Sequence, residues 1–180
     1  RILRNIKKMA KMSDNTRAVA IAKRNNLKVK ALMSIGHAGE SYESVENTKK
    51  WLLDVEPDDF DCTIITTYPG SPYFDQAVKE DNIYVYTSDI TGDKLYQSSI
   101  DYLSELDYYK GDPEGGYISY VWTDHMSPQD LVSARNDLES TVREKLNIPF
   151  NPAQGATKYE HSMGMGNIQI PDYILRRSPK

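Results

Sequence analysis

The first half of the chain alternates between helical and extended hydrophobic patterns. Residues 1–11 predict a short basic helix, and a second helix, capped by Ser13 or Asp14, continues to about Asn25. The segment LKVKALMSI, residues 27–35, is nearly continuous in apolar residues over its second half. A run of this kind predicts a strand that is buried on both faces.

A second helix and strand follow at similar spacing. Ser41 begins a helix whose predicted buried stripe consists of Val45, Trp51, Leu52 and Val55. FDCTIITTY, residues 60–68, predicts the next strand. We therefore expect residues 28–34 and 61–67 to form adjacent parallel strands, with the helix of residues 42–54 crossing between them.

The second half of the chain has a different pattern. IYVYTSD and KLYQSS predict the arms of a hairpin around Gly92, and GGYISYVWTDH predicts a short edge strand. Residues 127–148 predict a long helix with Ser127 as its cap, Pro128 at its first position, and a buried stripe formed by Leu131, Ala134, Leu138, Val142 and Leu146. Pro, Gly, Asn and Met dominate after Pro149, which predicts an extended tail.

Composition narrows the class of protein. The 180 residues suffice for one ordinary core, and a net charge of −4 does not favour general nucleic-acid binding. No apolar run has the length of a membrane span, and the N-terminal residues lack the apolar segment of a secretory signal. The single cysteine, Cys62, permits no disulfide within the chain and cannot by itself hold zinc or an iron–sulfur cluster. One cysteine favours a reducing compartment, so a cytoplasmic location is predicted.

Glycines follow both predicted strands. MSIGHAGES places Gly36 and Gly39, with Glu40, where the first strand ends, and Gly70 lies in the same position after the second. Ligands bind at the carboxyl ends of parallel strands, and glycine permits close backbone approach there. On the spacing of the first motif alone, a tight turn in which Glu40 supports the N-terminus of the next helix is the favoured explanation. The repetition on two neighbouring strands favours a ligand.

Several segments of the chain carry a family resemblance. IGHAGESYESVENTKKWL resembles the fifth strand and following helix of radical S-adenosylmethionine enzymes, and DDFDCTIITTYPGSPYFDQA resembles their sixth strand and its loop. Residues 1–31 are similar to the region after the fourth strand. The C-terminal segments YKGDPEGGYISYVWTDHMSPQDLVSARNDLE and YEHSMGMG resemble the subgroup with an upstream cobalamin-binding domain, which includes anaerobic magnesium-protoporphyrin ester cyclase-like proteins. The sequence departs from the family at His37, usually apolar, and at Ala38, usually proline.

The resemblance implies an α/β fold. Residues 1–85 correspond to the C-terminal half of a partial (β/α) TIM-like barrel, residues 86–150 to an α+β extension, and residues 151–180 to the extended tail. The CxxxCxxC loop that binds the [4Fe–4S] cluster of the family is absent from this sequence. We therefore expect the chain to be a fragment whose partner is the N-terminal half of the same polypeptide, which supplies the cluster ligands, with cobalamin possible through an upstream domain.

The same resemblance implies an S-adenosylmethionine site, and the residues assigned to it are Lys8, Ile35, Gly36, Gly39, Glu40, Thr67 and Tyr68. Lys8 corresponds to a basic residue that reaches the methionine carboxylate, and a solvated helix lysine is the alternative. Glu40 is expected to shape the loop, and a side chain at Gly36 is expected to protrude into the cofactor. No catalytic or metal-binding residue is assigned, and the roles of His37, Asp124 and His125 stay open.

Two functions follow. The first is a fragment of a radical S-adenosylmethionine iron–sulfur enzyme that acts on a small molecule, either as an oxidoreductase or as a methyltransferase, and that is inactive without its other half. The alternative is a non-catalytic α/β nucleotide-binding or scaffold module, in which the glycine loops bind a nucleotide or only turn the chain.

Overall fold

The computed structural model describes residues 1–99 and 118–149, which form a mixed α/β structure with two small sheets. The helices are α1 (Ile2–Asn5), α2 (Met12–Arg24), α3 (Tyr42–Val55), α4 (Pro72–Asp75) and α5 (Pro128–Leu146). The strands are β1 (Lys30–Ile35), β2 (Asp59–Ile64), β3 (Val78–Glu80), β4 (Ile83–Thr87), β5 (Lys94–Ser98) and β6 (Val121–Trp122). No described helix has both the length and the apolar character needed to cross a bilayer.

The predicted parallel pair of strands is confirmed. β1 and β2 pair in parallel, with Lys30 opposite Asp59 and Ile35 opposite Ile64, and α3 connects them. The two strands form a sheet of their own within the described chain, and no closed barrel is present there. The carboxyl ends of both strands therefore lie at the same edge of this sheet.

The prediction that β1 is buried on both faces is wrong. Burial alternates along the strand: Ala31 and Ile35 are buried, whereas Lys30 and Ser34 are exposed and Leu32 is 76% exposed. The reason is that α3 and α5 cover one face of the sheet, and no described element covers β1 on the other. The apolar run in β1 therefore did not mean that both faces of the strand are covered.

The second sheet is antiparallel, in the order β3-β4-β5-β6. Its centre is the predicted hairpin, in which β4 and β5 pair and the chain turns through Gly92. β6 is the short edge strand predicted from the aromatic segment. β3, at the other edge, was not predicted, and neither was the single turn of α4 that precedes it.

The helix caps agree with the sequence at α3 and α5 but not at α2. The Ser41 and Ser127 hydroxyls accept hydrogen bonds from the backbone N–H groups three residues on. α2, however, is capped at Lys11, and Asp14 lies in its first turn, where its carboxylate accepts from the Lys11 backbone N–H at 2.9 Å. α1 ends at Asn5 and does not continue to residue 11, because the backbone has a positive φ at Lys7.

One hydrophobic core joins the two sheets to α3 and α5. Its main members are Ile35, Val45, Leu52, Phe60, Tyr86, Leu95, Val121, Leu131, Leu138 and Val142. The boundary predicted between residues 85 and 86 falls inside β4, and residues on both sides of it belong to this core. The predicted tail, residues 151–180, lies outside the described residues.

Side chains of α5 close the outer edge of β2. Glu139 Oε1 accepts from the Cys62 backbone N–H at 2.7 Å, and Arg135 Nε donates to the Cys62 carbonyl at 2.9 Å. Arg143 Nη2 donates to the Phe60 carbonyl at 2.6 Å, and its Nε donates to Glu139 Oε2 at 2.7 Å. These three residues follow one another at four-residue intervals on one face of the helix. They satisfy strand groups that a neighbouring strand would otherwise bond.

Candidate functional site

A groove of about 600 Å³ runs along β1, between the α1–α2 segment and α3. Six consecutive residues of the chain, 29–34, form its floor. At the carboxyl end of β1 the groove is lined by polar side chains, namely Lys8, Ser34, His37, Glu40 and Ser44. Among the predicted site residues, only Lys8 and Glu40 lie in this lining.

Glu40 holds the loop that follows β1. Its Oε2 accepts from the Gly36 backbone N–H at 3.0 Å, and its Oε1 accepts from the Ser44 hydroxyl at 2.5 Å. The Thr123 hydroxyl donates to the Glu40 carbonyl at 2.9 Å, which fastens the loop to the segment after β6. Burial raises the pKa of the Glu40 carboxyl, and the bonds from Ser44 and Gly36 oppose that effect. These contacts support the expectation that Glu40 shapes the loop.

Close packing of the backbone against the protein core requires a glycine at position 36. Its φ is +86°, and a Cβ atom there would lie 3.1 Å from Ile64 Cγ2 and 3.2 Å from Val121 Cγ2. The expectation that a side chain at this position would protrude into a cofactor is therefore wrong in direction, because the missing side chain points into the apolar core.

The buried carboxylate of Asp93 lies so close to the backbone that position 39 requires a glycine. A Cβ atom at Gly39 would lie 2.4 Å from Asp93 Oδ2, and the backbone has φ +80°. Asp93 accepts hydrogen bonds from Arg1, from Asn5 Nδ2 at 2.8 Å and from the Thr91 hydroxyl at 2.7 Å. The hydrogen bond from Arg1 is the main reason that the pKa of the Asp93 carboxyl lies far below its ordinary value. The hydrogen bonds to Asp93 fix α1 and the β4–β5 turn against the glycine loop, which is the loop of residues 36–40 after β1.

His37 is neutral and bonded through both ring nitrogens. Its Nε2 lies 2.8 Å from Ser34 Oγ, and its Nδ1 lies 3.3 Å from the Tyr73 hydroxyl. The ring is 9% exposed, and burial, with a smaller contribution from the Lys8 charge, lowers its pKa from 6.5 to about 4. Burial likewise raises the pKa of Tyr73 to about 12. The ring therefore fixes the orientation of the Ser34 hydroxyl at the groove.

Lys8 supplies a cation at the rim of the groove. Its side chain is exposed, whereas the neighbouring Lys7 points elsewhere and pairs with Asp89 at 3.0 Å. The Lys8 ammonium can bind an anionic group of a ligand. A surface lysine that contacts only water would be equally exposed.

The remaining predicted residues lie outside the groove lining. Ile35 and Thr67 are buried, and Tyr68 is 38% exposed, with its carbonyl accepting from Ser71. Asp124 accepts a hydrogen bond from the Tyr96 hydroxyl at 2.7 Å and lies on the surface with His125. The third histidine, His161, lies outside the described residues.

Sequence reasoning missed Ser34, Tyr73, Asp93 and Thr123. These residues reach the glycine loop from other elements, and their partners are far away along the chain for all but Ser34. No spacing pattern could have revealed such contacts. Ser34 did carry a signal, because it stands three residues before His37 at the end of a strand.

A metal cluster does not fit the described residues. They contain no group of three or more His, Cys, Asp or Glu side chains that could hold a metal ion. Cys62 is buried beneath α5, and burial raises the pKa of its thiol well above the ordinary range, which disfavours the thiolate. No family model matches the sequence, and no curated protein matches it significantly.

Proposed function

We propose that this chain is the C-terminal part of a radical S-adenosylmethionine enzyme, and that the carboxyl end of β1 contributes to its S-adenosylmethionine site. One observation carries the proposal. Two adjacent parallel strands both end in glycine loops, and these loops carry IGHAGE and YPG in the order in which the family has them. The carboxyl ends of parallel strands are where α/β proteins bind ligands.

Two features of the sheet support a partial barrel. The face of β1 that carries Lys30, Leu32 and Ser34 is uncovered, as the inner face of a barrel strand would be without the rest of its barrel. β2 has a strand on one side and the α5 side chains on the other, which suits the last strand of an open barrel. The α+β extension then corresponds to the antiparallel sheet and α5.

Residues at the groove have distinct roles in this proposal. The Lys8 ammonium binds the methionine carboxylate, while Glu40 holds the Gly36 loop in place and His37 orients the Ser34 hydroxyl. In the complete enzyme, bound S-adenosylmethionine would take one electron from the cluster of the N-terminal half and would release methionine and a 5′-deoxyadenosyl radical, which would abstract hydrogen from a small-molecule substrate. Ile35, Gly39, Thr67 and Tyr68 act as the frame of the site, since they lie outside the groove lining.

The cluster and cobalamin belong elsewhere in the polypeptide. With Cys62 as the one cysteine and that thiol buried, the described residues do not fit a [4Fe–4S] cluster. The N-terminal half of the same polypeptide would hold the cluster, and an upstream domain would hold any cobalamin. The enzyme, an oxidoreductase or methyltransferase in the cytoplasm, would be inactive as this fragment alone.

Calorimetric titration of the chain with S-adenosylmethionine tests the site. We expect Lys8→Met to weaken binding about tenfold, the loss of one charge-assisted contact worth about 1.4 kcal/mol. Lys7→Met is the matched control, because Lys7 lies next in sequence but pairs with Asp89 outside the groove. Equal affinity of the two variants, or no binding by the wild-type chain at millimolar ligand, would contradict the proposed site.

The coding sequence upstream of Arg1 tests the proposed family membership. We expect a CxxxCxxC segment upstream of Arg1, and we expect the complete polypeptide to show brown iron–sulfur absorbance after anaerobic purification. A polypeptide without this segment would favour the alternative, an α/β binding or scaffold module.

A further inference from the structure

A serine and a histidine form a hydrogen-bonded pair where β1 ends in the groove. Ser34 Oγ lies 2.8 Å from His37 Nε2, and among the described residues His37 is the one hydrogen-bond partner of this hydroxyl. The backbone turns between the two residues at Gly36, whose φ is +86°, and this turn allows the ring to reach Ser34. The Tyr73 hydroxyl lies 3.3 Å from the second ring nitrogen. A hydroxyl, a base and a group that orients the base therefore lie within hydrogen-bond reach of one another.

The Ser34 hydroxyl is free to react with a ligand in the groove. Its side chain is exposed, whereas the His37 ring is buried and neutral, and a neutral imidazole is the form that accepts a proton. When His37 Nε2 accepts the Ser34 proton, both lone pairs of Ser34 Oγ face the groove. Ser44 lines the same groove but differs, because its hydroxyl donates to Glu40 and accepts from the Ser41 backbone N–H at 2.8 Å.

Two donors beside Ser34 can stabilise the negative oxygen that forms when a hydroxyl attacks a carbonyl group. The Ile35 carbonyl accepts from Ile65 N at 3.0 Å and so faces β2, and the Ser34 backbone N–H faces the opposite way because these groups alternate along a strand. β2 is the one strand paired with β1 in the described part of the chain, so this N–H has no strand acceptor there. The second donor is Lys8, which lines the groove and whose charge acts on His37. Backbone N–H groups and cations are the usual parts of an oxyanion site.

The lining of the groove indicates the class of substrate. The groove has a volume of about 600 Å³, and its wall on the α1–α2 side is apolar, with Ile2, Leu3, Ile6 and Val19. An apolar acyl chain fits such a wall. The low pKa of the His37 ring, about 4, makes it a weak base, which favours substrates with a good leaving group such as aryl esters.

We propose that Ser34 is a nucleophile with His37 as its general base, and that this pair hydrolyses activated carboxylic esters with an apolar acyl group. Ser34 Oγ attacks the carbonyl carbon while its proton passes to His37 Nε2. The bond from that carbon to the leaving oxygen then breaks, and His37 gives the proton to the leaving oxygen. Water next attacks the acyl-enzyme and passes a proton to His37, which returns it to Ser34 Oγ as the carboxylic acid is released. This activity does not rest on the proposed function.

Hydrolysis of p-nitrophenyl butyrate by the purified chain tests the activity. We expect Ser34→Ala and His37→Gln each to lower kcat/KM about 100-fold, which is the usual size of a contribution from a positioned proton acceptor. Surface imidazoles also hydrolyse such esters slowly, so the control is His125→Gln, which removes an exposed ring outside the groove. Ser13→Ala is the matched control for the serine, because Ser13 is exposed and lies outside the groove lining. Both controls should keep the rate of the wild-type chain.

An alkyl fluorophosphonate identifies the nucleophile directly. Ser34 Oγ displaces fluoride and forms a stable phosphonate ester, and its proton leaves as hydrogen fluoride. We expect a single adduct, located at Ser34 by peptide mass spectrometry, and no adduct in Ser34→Ala. Because the Ser34 side chain is exposed, this variant should keep the fold, which its circular dichroism spectrum verifies.

Any of three results would overturn the inference. The first is a folded Ser34→Ala variant that hydrolyses the ester as fast as the wild-type chain. The second is a wild-type rate no higher than that of free imidazole at three times the protein concentration, which matches the three histidines of the chain. The third is a fluorophosphonate adduct at residues other than Ser34, or none. No assay here contains S-adenosylmethionine, so failure of this inference and failure of the proposed cofactor site are distinguishable.

Discussion

At the scale of single residues, the loop after β1 is held from three directions. Glu40 binds it from within the loop, Asp93 abuts Gly39 from the β4–β5 turn, and Thr123 donates to the Glu40 carbonyl from the segment after β6. A loop fixed in this way can present the polar end of the groove in one geometry. Preorganisation of this kind lowers the cost of binding a ligand.

Gly39→Ala tests the contact with Asp93. We expect the free energy of unfolding to fall by about 3 kcal/mol, because a Cβ atom would displace a buried carboxylate and the backbone has a positive φ. Gly92→Ala is the control: φ is +73° there, but nothing lies within 4 Å, so a loss of about 1 kcal/mol is expected from backbone strain alone. Urea denaturation measures both, and equal losses would mean that the contact with Asp93 contributes nothing.

His37 makes stability depend on pH. Its pKa is 6.5 in the unfolded chain and about 4 in the folded one, so the unfolded chain takes up the proton first as pH falls. Its contribution to stability is therefore complete above pH 6.5 and declines between pH 6.5 and 4, by about 3 kcal/mol in total.

The variant His37→Gln should lack this decline while keeping hydrogen-bonding groups beside Ser34 and Tyr73. The groups facing the ring are Lys8, Ser34 and Tyr73, and Glu40 in the same loop titrates in both proteins, so the difference between the two unfolding profiles isolates the imidazole. Parallel profiles from pH 7 to 4 would show that the ring is not neutral and buried in solution.

The residues of the glycine loop could be predicted, but their partners could not. Glycines followed by a glutamate at the end of an apolar run indicate a constrained turn, and Glu40 does bond the Gly36 backbone. The direction of the missing Gly36 side chain, into Ile64 and Val121, depends on how two distant elements pack. Local spacing contains no information on that packing.

At the scale of elements, α5 does more than cover the sheet. Its buried residues Glu139 and Arg143 replace the missing neighbour of β2 by bonding its backbone. Replacement of one member of a buried ion pair leaves the other uncompensated, which is costly. α5 is therefore the element on which the position of β2 depends.

Arg143→Met tests this function of α5. We expect a loss of about 3 kcal/mol, because Glu139 loses the partner of its Oε2 and the Phe60 carbonyl loses a donor. The control is Lys28→Met, which breaks an exposed ion pair with Asp58 and should leave the denaturation midpoint unchanged within error. If Arg143→Met is as stable as the control, side chains of α5 do not close the strand edge.

Element types were more predictable than the surroundings of each element. Capping residues and apolar stripes located α3 and α5, because Ser41 and Ser127 bond locally to the helices that they begin. The uncovered face of β1 was not predictable, since an apolar residue such as Leu32 is compatible with burial against an element outside the described chain. β3 is three exposed residues long and leaves almost no pattern.

At the scale of the whole molecule, the two ends of the parallel sheet offer two different grooves. One runs along β1 and has Ser34, His37 and Glu40 where the strand ends. The other lies before the strands begin, near Asn26 and Glu56, where α2 and α3 end. Ligands of α/β folds bind at the carboxyl ends of the strands. The proposed function therefore predicts ligand binding in the groove along β1 and not in the groove near Asn26 and Glu56.

Nuclear magnetic resonance titration of the chain with S-adenosylmethionine distinguishes these ends directly. We expect the backbone amides of Ser34, His37 and Glu40 to shift in a saturable manner, with Asn26, Glu56 and Asn147 unchanged at the opposite groove. Lys8→Met should reduce the shifts at the first set. Saturable shifts at Asn26, Glu56 and Asn147 alone, or no shifts at millimolar ligand, would contradict a cofactor site at the carboxyl end of β1.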